Sequence, residues 1–75
     1  MLSRAQMRVL ELLAQPFVID MTTAGLEAQQ RTMIILLRRK WVRITEHGPF
    51  SFPHLTHWAI TLAGRRALTS EGRDE

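Results

Sequence analysis

Apolar residues recur along this chain at a helical spacing, then at an alternating one, then at a helical spacing again. The sharpest switch lies between Leu26 and Ile44, LEAQQRTMIILLRRKWVRI. Ala28 to Arg39 contains no Gly or Pro and is rich in Leu, Met, Gln and Arg, so a helix is expected over 28–39. Lys40 and Trp41 then lead into alternating Val42, Arg43, Ile44 and Thr45, where a period of two replaces one of about 3.6. At about 100° per residue, Arg31, Ile35, Arg38 and Arg39 fall on one side of this helix. Gln29, Met33, Leu36 and Leu37 fall on the other. One side can pack on a core while the other presents guanidiniums to solvent.

Upstream, Ser3 is a natural N-cap, Gln6 completes a capping box, and Leu2 and Met7 stand where a hydrophobic staple would be. The first helix should run to Ala14, with Pro16 ending it. Arg4, Arg8 and Glu11 form a narrow polar stripe and nearly all the rest is apolar, so this helix should be covered on more than one side. Either it is the central helix of a monomer, or part of it is a dimer interface. Phe17, Val18 and Ile19 are β-formers and predict a short strand. Asp20 can cap a short second helix over Met21 to Ala24, and Gly25 is the natural turn residue before the long basic helix.

Downstream, Trp41 to Thr45 predicts one strand and Thr56 to Thr61 another, with Trp58 and Ile60 on one face and His57, Ala59 and Thr61 on the other. Trp41 and Trp58 read most simply as cross-strand core residues. The connection between the strands, EHGPFSFPHL, is longer than a tight hairpin needs, which points to a functional tip. Thr61 can cap a closing helix over Leu62 to Thr69. These elements predict a small α+β domain over residues 1–70, followed by a disordered tail over 71–75.

Length and charge narrow the function. A chain of 75 residues forms one small core. The net charge of +3 hides an asymmetry: residues 1–70 carry nine Lys/Arg against four Asp/Glu, and residues 71–75 carry one against three. All but one of the basic residues are Arg, whose planar fork bonds phosphates and guanine edges bidentately. Absence of Cys excludes disulfides and thiolate metal sites. The longest apolar run, Met33 to Leu37, is far short of a membrane span, and no signal-peptide pattern is evident. A cytoplasmic location follows as the expectation. The carboxylates form no catalytic pair, no Ser stands in a nucleophile elbow, and no Gly-rich phosphate loop occurs, so no enzyme and no cofactor is expected. His47, His54 and His57 surround the connection and read as surface or contact residues rather than metal ligands.

Two local motifs carry a resemblance. LLRRKWVRI resembles the Leu-Glu-x-x-Gly-Leu-Val segment that ends the recognition helix in bacterial winged helix-turn-helix regulators of the MarR and PadR kind, with Leu36, Trp41 and Val42 at its apolar positions. WAITLAGRRAL resembles their Tyr-x-Leu-Thr-x-x-Gly-Arg-x-x-Leu segment, with Ile60, Thr61, Gly64, Arg65 and Leu68 at the matching positions. The second motif is the more specific. Together with the order of elements they cover most of the chain, which looks like the bare DNA-binding core of a bacterial or phage regulator. Lys40 stands where the family has glycine, so a non-glycine residue is expected at positive φ.

The resemblance implies a winged helix-turn-helix of three helices, a β-hairpin wing and a short closing helix. It would act as a sequence-specific transcription regulator on double-stranded DNA. Gln29, Gln30, Arg31 and Thr32 would enter the major groove, with Arg31 and Gln30 the foremost base contacts. Arg38, Arg39 and Lys40 suit phosphates. Arg43, His47 and Arg65 would touch the backbone or minor groove from the wing and the closing helix. A homodimer is expected from the apolar first helix and from the doubling of a small reading surface. Ile35 reads more simply as core than as a contact. The alternative function is a protein-interaction module, in which Ile35, Phe50 and Phe52 form an apolar patch rimmed by the arginines.

Overall fold

In the computed structural model, which describes residues 2–73 and side chains as far as Ser70, the chain is a small α+β fold of four helices and one three-stranded antiparallel sheet. Its elements run α1 (Arg4–Leu13), β1 (Met21–Thr22), α2 (Thr23–Leu26), α3 (Gln30–Arg38), β2 (Val42–Glu46), a 3-10 turn (Pro53–Leu55), β3 (His57–Ile60) and α4 (Leu62–Arg73). No helix among the described residues is long and apolar enough to cross a membrane.

The first helix starts where its sequence says. The Ser3 hydroxyl accepts from the Gln6 amide at 3.1 Å and the Gln6 side chain accepts from the Ser3 amide at 3.2 Å, a reciprocal capping box. Leu2 is buried and Met7 packs against the same core. Within this single chain α1 lies against α3, β3 and α4, with Val9, Leu10 and Leu13 buried. Its apolar arc thus packs within the chain, with Met7 and Leu12 partly buried.

The strand expected at Phe17–Ile19 forms four residues later. Phe17 is 97% exposed and Ile19 85% exposed, and only Val18 between them packs on the core. Strand pairing falls instead to Met21, opposite Trp58, and Thr22, opposite His57. Asp20 does not cap a helix: its carboxylate accepts from the Thr45 hydroxyl at 2.9 Å. The cap is Thr22, whose hydroxyl accepts from the Gly25 amide at 2.9 Å, so Gly25 lies inside α2 and is not the turn. The turn is Glu27, at φ 52°. Glu27 donates to the Ala24 carbonyl and Ala28 to the Thr23 carbonyl, the pair of bonds that closes a helix through a left-handed residue. Because Glu27 ends α2 and Gln29 is extended at ψ 146°, α3 begins at Gln30 rather than at 28.

β3 is the central strand, with β1 and β2 on its two edges. Val42 pairs with Ile60, Arg43 with Ala59 and Ile44 with Trp58, after which an irregularity sets Glu46 opposite His57. Trp58 is fully buried and its indole N–H donates to the Thr23 hydroxyl at 2.7 Å. It faces Ile44 and Met21, not Trp41, so the expected tryptophan pair does not form.

One junction ties the two halves together. At the end of α3, Lys40 has φ 64°, the positive φ expected from the absence of glycine there. Lys40 donates to the Leu37 carbonyl at 2.9 Å and Trp41 to the Leu36 carbonyl at 3.0 Å, a Schellman closure. Thr61 then clamps it. Its hydroxyl donates to the Lys40 carbonyl at 2.6 Å and accepts from the Gly64 amide at 3.0 Å, while its own amide donates to the Trp41 carbonyl at 3.0 Å. Any Cβ on Gly64 would overlap the Trp41 carbonyl oxygen, so only glycine lets α4 sit this close. α4 itself continues to Arg73, past the expected end at Thr69 and into the expected tail. Asp74 and Glu75, the rest of that tail, lie outside the described residues, as does Met1.

Candidate nucleic-acid interface

The basic face of α3 is set by which residues the core takes. Met33 and Leu36 are fully buried, and this fixes the helix so that Arg31, Ile35 and Arg38, at i, i+4 and i+7, all stand exposed on the opposite side. Ile35 is 37% exposed, so it lies between the two guanidiniums and not in the core. Gln30, the first helical residue, is exposed beside them, and Gln29 is the N-cap with no side-chain capping bond. Its amide stays available to a ligand.

Thr32 leaves this group. It is only 9% exposed, and on the helical wheel it lies about 40° from Leu36, on the buried side. A side chain there lies beside Ala5 and Val9 of α1 and outside the exposed row of Arg31. The same wheel was already readable in the sequence.

The C-terminal cluster separates into two roles. Arg38 and Lys40 are exposed. Arg39 caps α3 and its guanidinium lies 5.1 Å from the Trp41 ring centre, within reach of a cation–π contact. The charge stays at the surface while the ring holds it in place. Arg43 is exposed on the face of β2 away from Val42 and Ile44, which lie on the core side, and His47 is exposed just beyond β2. The only ion pair among the described residues is Arg8–Glu27 at 3.4 Å, so Arg31, Arg38, Arg39, Lys40 and Arg43 are not neutralised by carboxylates of the fold.

Arg65 is not gathered with α3. Its guanidinium donates to the Ala14 carbonyl at 3.4 Å, at the last turn of α1, where a cation complements the helix dipole. Arg8 is a residue that sequence reasoning left on the surface stripe. It donates to the Leu26 carbonyl at 2.6 Å and pairs with Glu27, bracing the left-handed turn that aims α3. An open cavity of 440 Å³ lies beside it, lined by Ala5, Arg8, Val9, Glu27, Ala28, Gln29 and Thr32. No local signal joins residues 19 positions apart, so this brace was invisible in the sequence.

The β2–β3 connection carries Phe50, fully exposed, and Phe52, 51% exposed, whose ring meets His54 edge-on at 5.8 Å. His57 is half-buried on β3, with its Nδ1 enclosed and without a hydrogen-bond partner. Among the described residues no three His, Cys, Asp or Glu side chains are grouped to hold a metal ion. Compared with models of known families, with curated proteins and with solved structures, the chain finds no match.

Proposed function

We propose that this chain is a winged-helix reader of double-stranded DNA that regulates transcription by occupying its site. The observation that carries this reading is the α3 face: Arg31, Ile35 and Arg38 exposed in one row, Gln30 at its start, and no carboxylate paired with any of them. Arg31 forks onto guanine O6 and N7 and Gln30 onto adenine N6 and N7. Arg38 stands about 10 Å further along the axis at about 1.5 Å per residue, far enough to meet the backbone instead of the same base edges. Lys40 and Arg43 extend the positive charge toward the β2–β3 hairpin, the wing in this reading, where His47 is exposed. Ile35 suits a thymine methyl. The case for a homodimer rests on the reading surface: one α3 spans few base pairs, and a two-fold pair doubles them.

Ile35, Phe50 and Phe52 also favour a second reading, a protein-binding module with arginines around an apolar centre. Selection from a random duplex pool, repeated with Arg31→Ala, decides between them. Steeply salt-dependent binding with an enriched motif is expected, and Arg31→Ala should lose about 1–3 kcal/mol at the guanine position alone. Absence of duplex binding at low salt would overturn the DNA reading and favour the module.

A further inference from the structure

We propose that the open cavity between α1 and the start of α3 binds a short aliphatic monocarboxylate. This site is separate from the DNA reading, because the exposed row of Arg31, Ile35 and Arg38 lies outside its lining. Its volume of 440 Å³ falls in the range of about 300–1,000 Å³ that small-molecule pockets occupy. Two independent features call for a ligand. Thr32 is only 9% exposed and lines the cavity, yet its hydroxyl makes no hydrogen bond among the described residues. A polar group placed so deeply costs free energy until something in the cavity pairs with it. The second feature is the start of α3 itself. Its N-cap, Gln29, makes no side-chain capping bond, and the first turn holds no acidic residue. The positive end of the helix dipole thus meets the cavity with no side-chain acceptor of its own.

The donors around the cavity set the charge of its occupant. Arg8 donates to the Leu26 carbonyl at 2.6 Å and only loosely to Glu27 at 3.4 Å, which leaves further N–H groups of its fork to offer. The Glu27 side chain is 81% exposed, and water screens so exposed a pair. A ligand carboxylate can therefore take its place on the guanidinium, in the bidentate geometry that a planar fork favours. The Thr32 hydroxyl and the Gln29 side-chain amide supply neutral donors. Glu27 also limits the occupant to one negative charge, since its repulsion grows with the charge of the anion. The walls set the rest. Ala5, Val9 and Ala28 offer methyl groups and no aromatic face, which suits an alkyl chain of a few carbons rather than a stacked ring.

The test titrates the whole chain with acetate, butanoate and hexanoate at constant ionic strength and follows the backbone amide chemical shifts. Saturating shifts should appear at Ala28, Gln29 and Thr32, and affinity should rise about fourfold with each added methylene. Hexan-1-ol keeps the chain without the charge and should bind at least about tenfold more weakly. Thr32→Val keeps the shape of the side chain and has a similar helix propensity. Because the hydroxyl has no partner within the fold, this variant should melt no lower than the unmodified chain, yet bind hexanoate about tenfold more weakly. A purely structural threonine would show the reverse. Lack of saturating shifts, or hexanoate affinity unchanged in Thr32→Val, would overturn the site. An equal response to inorganic phosphate would also overturn it, and would assign the cavity to any anion, a duplex phosphate included. No duplex enters the titration, so each of these results leaves the DNA reading to its own test.

Discussion

Lys40 is the position where stability and the proposed function pull apart. Its φ of 64° costs an L-residue about 1–2 kcal/mol because Cβ crowds the following carbonyl. Glycine removes that cost but widens the unfolded ensemble, which destabilises by about 0.4–1 kcal/mol. At the midpoints of those ranges Lys40→Gly is more stable by about 0.8 kcal/mol. In a domain of this size that raises Tm by about 2–8 °C. The Schellman bonds and the Thr61 clamp use only the backbone of residue 40, so the substitution keeps them. Lys40→Ala is the control, because it removes the same charge and keeps the Cβ at positive φ.

Thermal unfolding followed by circular dichroism gives the comparison directly. Lys40→Gly should unfold above both the unmodified chain and Lys40→Ala. If Lys40→Gly is no more stable than Lys40→Ala, the conformation assigned to residue 40 is wrong. Both variants should also lose about one unit of slope in a plot of log affinity for duplex against log salt, as for one phosphate contact. The glycine variant would then be the better folded and the weaker binder.

Two further substitutions test the frame that aims the basic helix. Thr23→Val keeps the shape of the side chain but leaves the buried Trp58 indole N–H without its 2.7 Å acceptor, so it should destabilise by about 1–3 kcal/mol, read from denaturant unfolding with tryptophan fluorescence. Gly64→Ala sets two effects against each other: helix propensity alone favours it by about 1 kcal/mol, whereas the overlap with the Trp41 carbonyl costs up to about 3 kcal/mol and cannot be relieved by a side-chain rotation. A lower Tm is expected, and a raised one would show that α4 does not rest on that carbonyl.

The parts of this fold that were legible in the sequence are those decided within a few residues. Ser3 and Gln6 are three apart and satisfy each other. The Thr61–Gly64 pair and the end of α3 at Lys40 are equally local. Elements decided at long range were missed. Phe17 to Ile19 have high β propensity, but β3 offers its free edge to Met21 and Thr22, and propensity is silent about which segment an edge accepts. Gly25 is the obvious turn former, yet Thr22 caps α2 through it and the turn passes to Glu27, braced by Arg8 from α1. For the candidate site, the period alone sets Arg31, Ile35 and Arg38 on one side, but Ile35 was read as core from its residue type and the structure exposes it. Thr32 was misplaced because its residue type outweighed its angle. Arg65 was assigned by resemblance alone, and its tie to Ala14 depends on how α4 packs.

The exposed large apolar residues Phe17, Ile19 and Phe50 all lie in turns or bends. Phe17 and Ile19 flank Val18, which packs on the core. Phe17 stands at the second corner of a Gln15–Val18 turn, whose Val18 amide donates to the Gln15 carbonyl at 3.0 Å, and the chain bends again at Ile19, so Val18 alone turns inward. Phe50 stands at the first corner of a comparable turn, closed by the Phe52 amide on the Pro49 carbonyl. It sits in an irregular turn whose backbone bonds are all made locally, and the neighbouring Thr56 is buried. Burying a Phe ring is worth about 1.5–3 kcal/mol, a large fraction of the total stability of a domain with about 0.05–0.15 kcal/mol per residue. Serine at position 50 would keep the turn, since this corner accepts most residue types, and would keep an apolar ring out of water. The exposure of Phe50, like that of Phe17, is thus set by the turn that carries it and not by a shortage of apolar partners in the core.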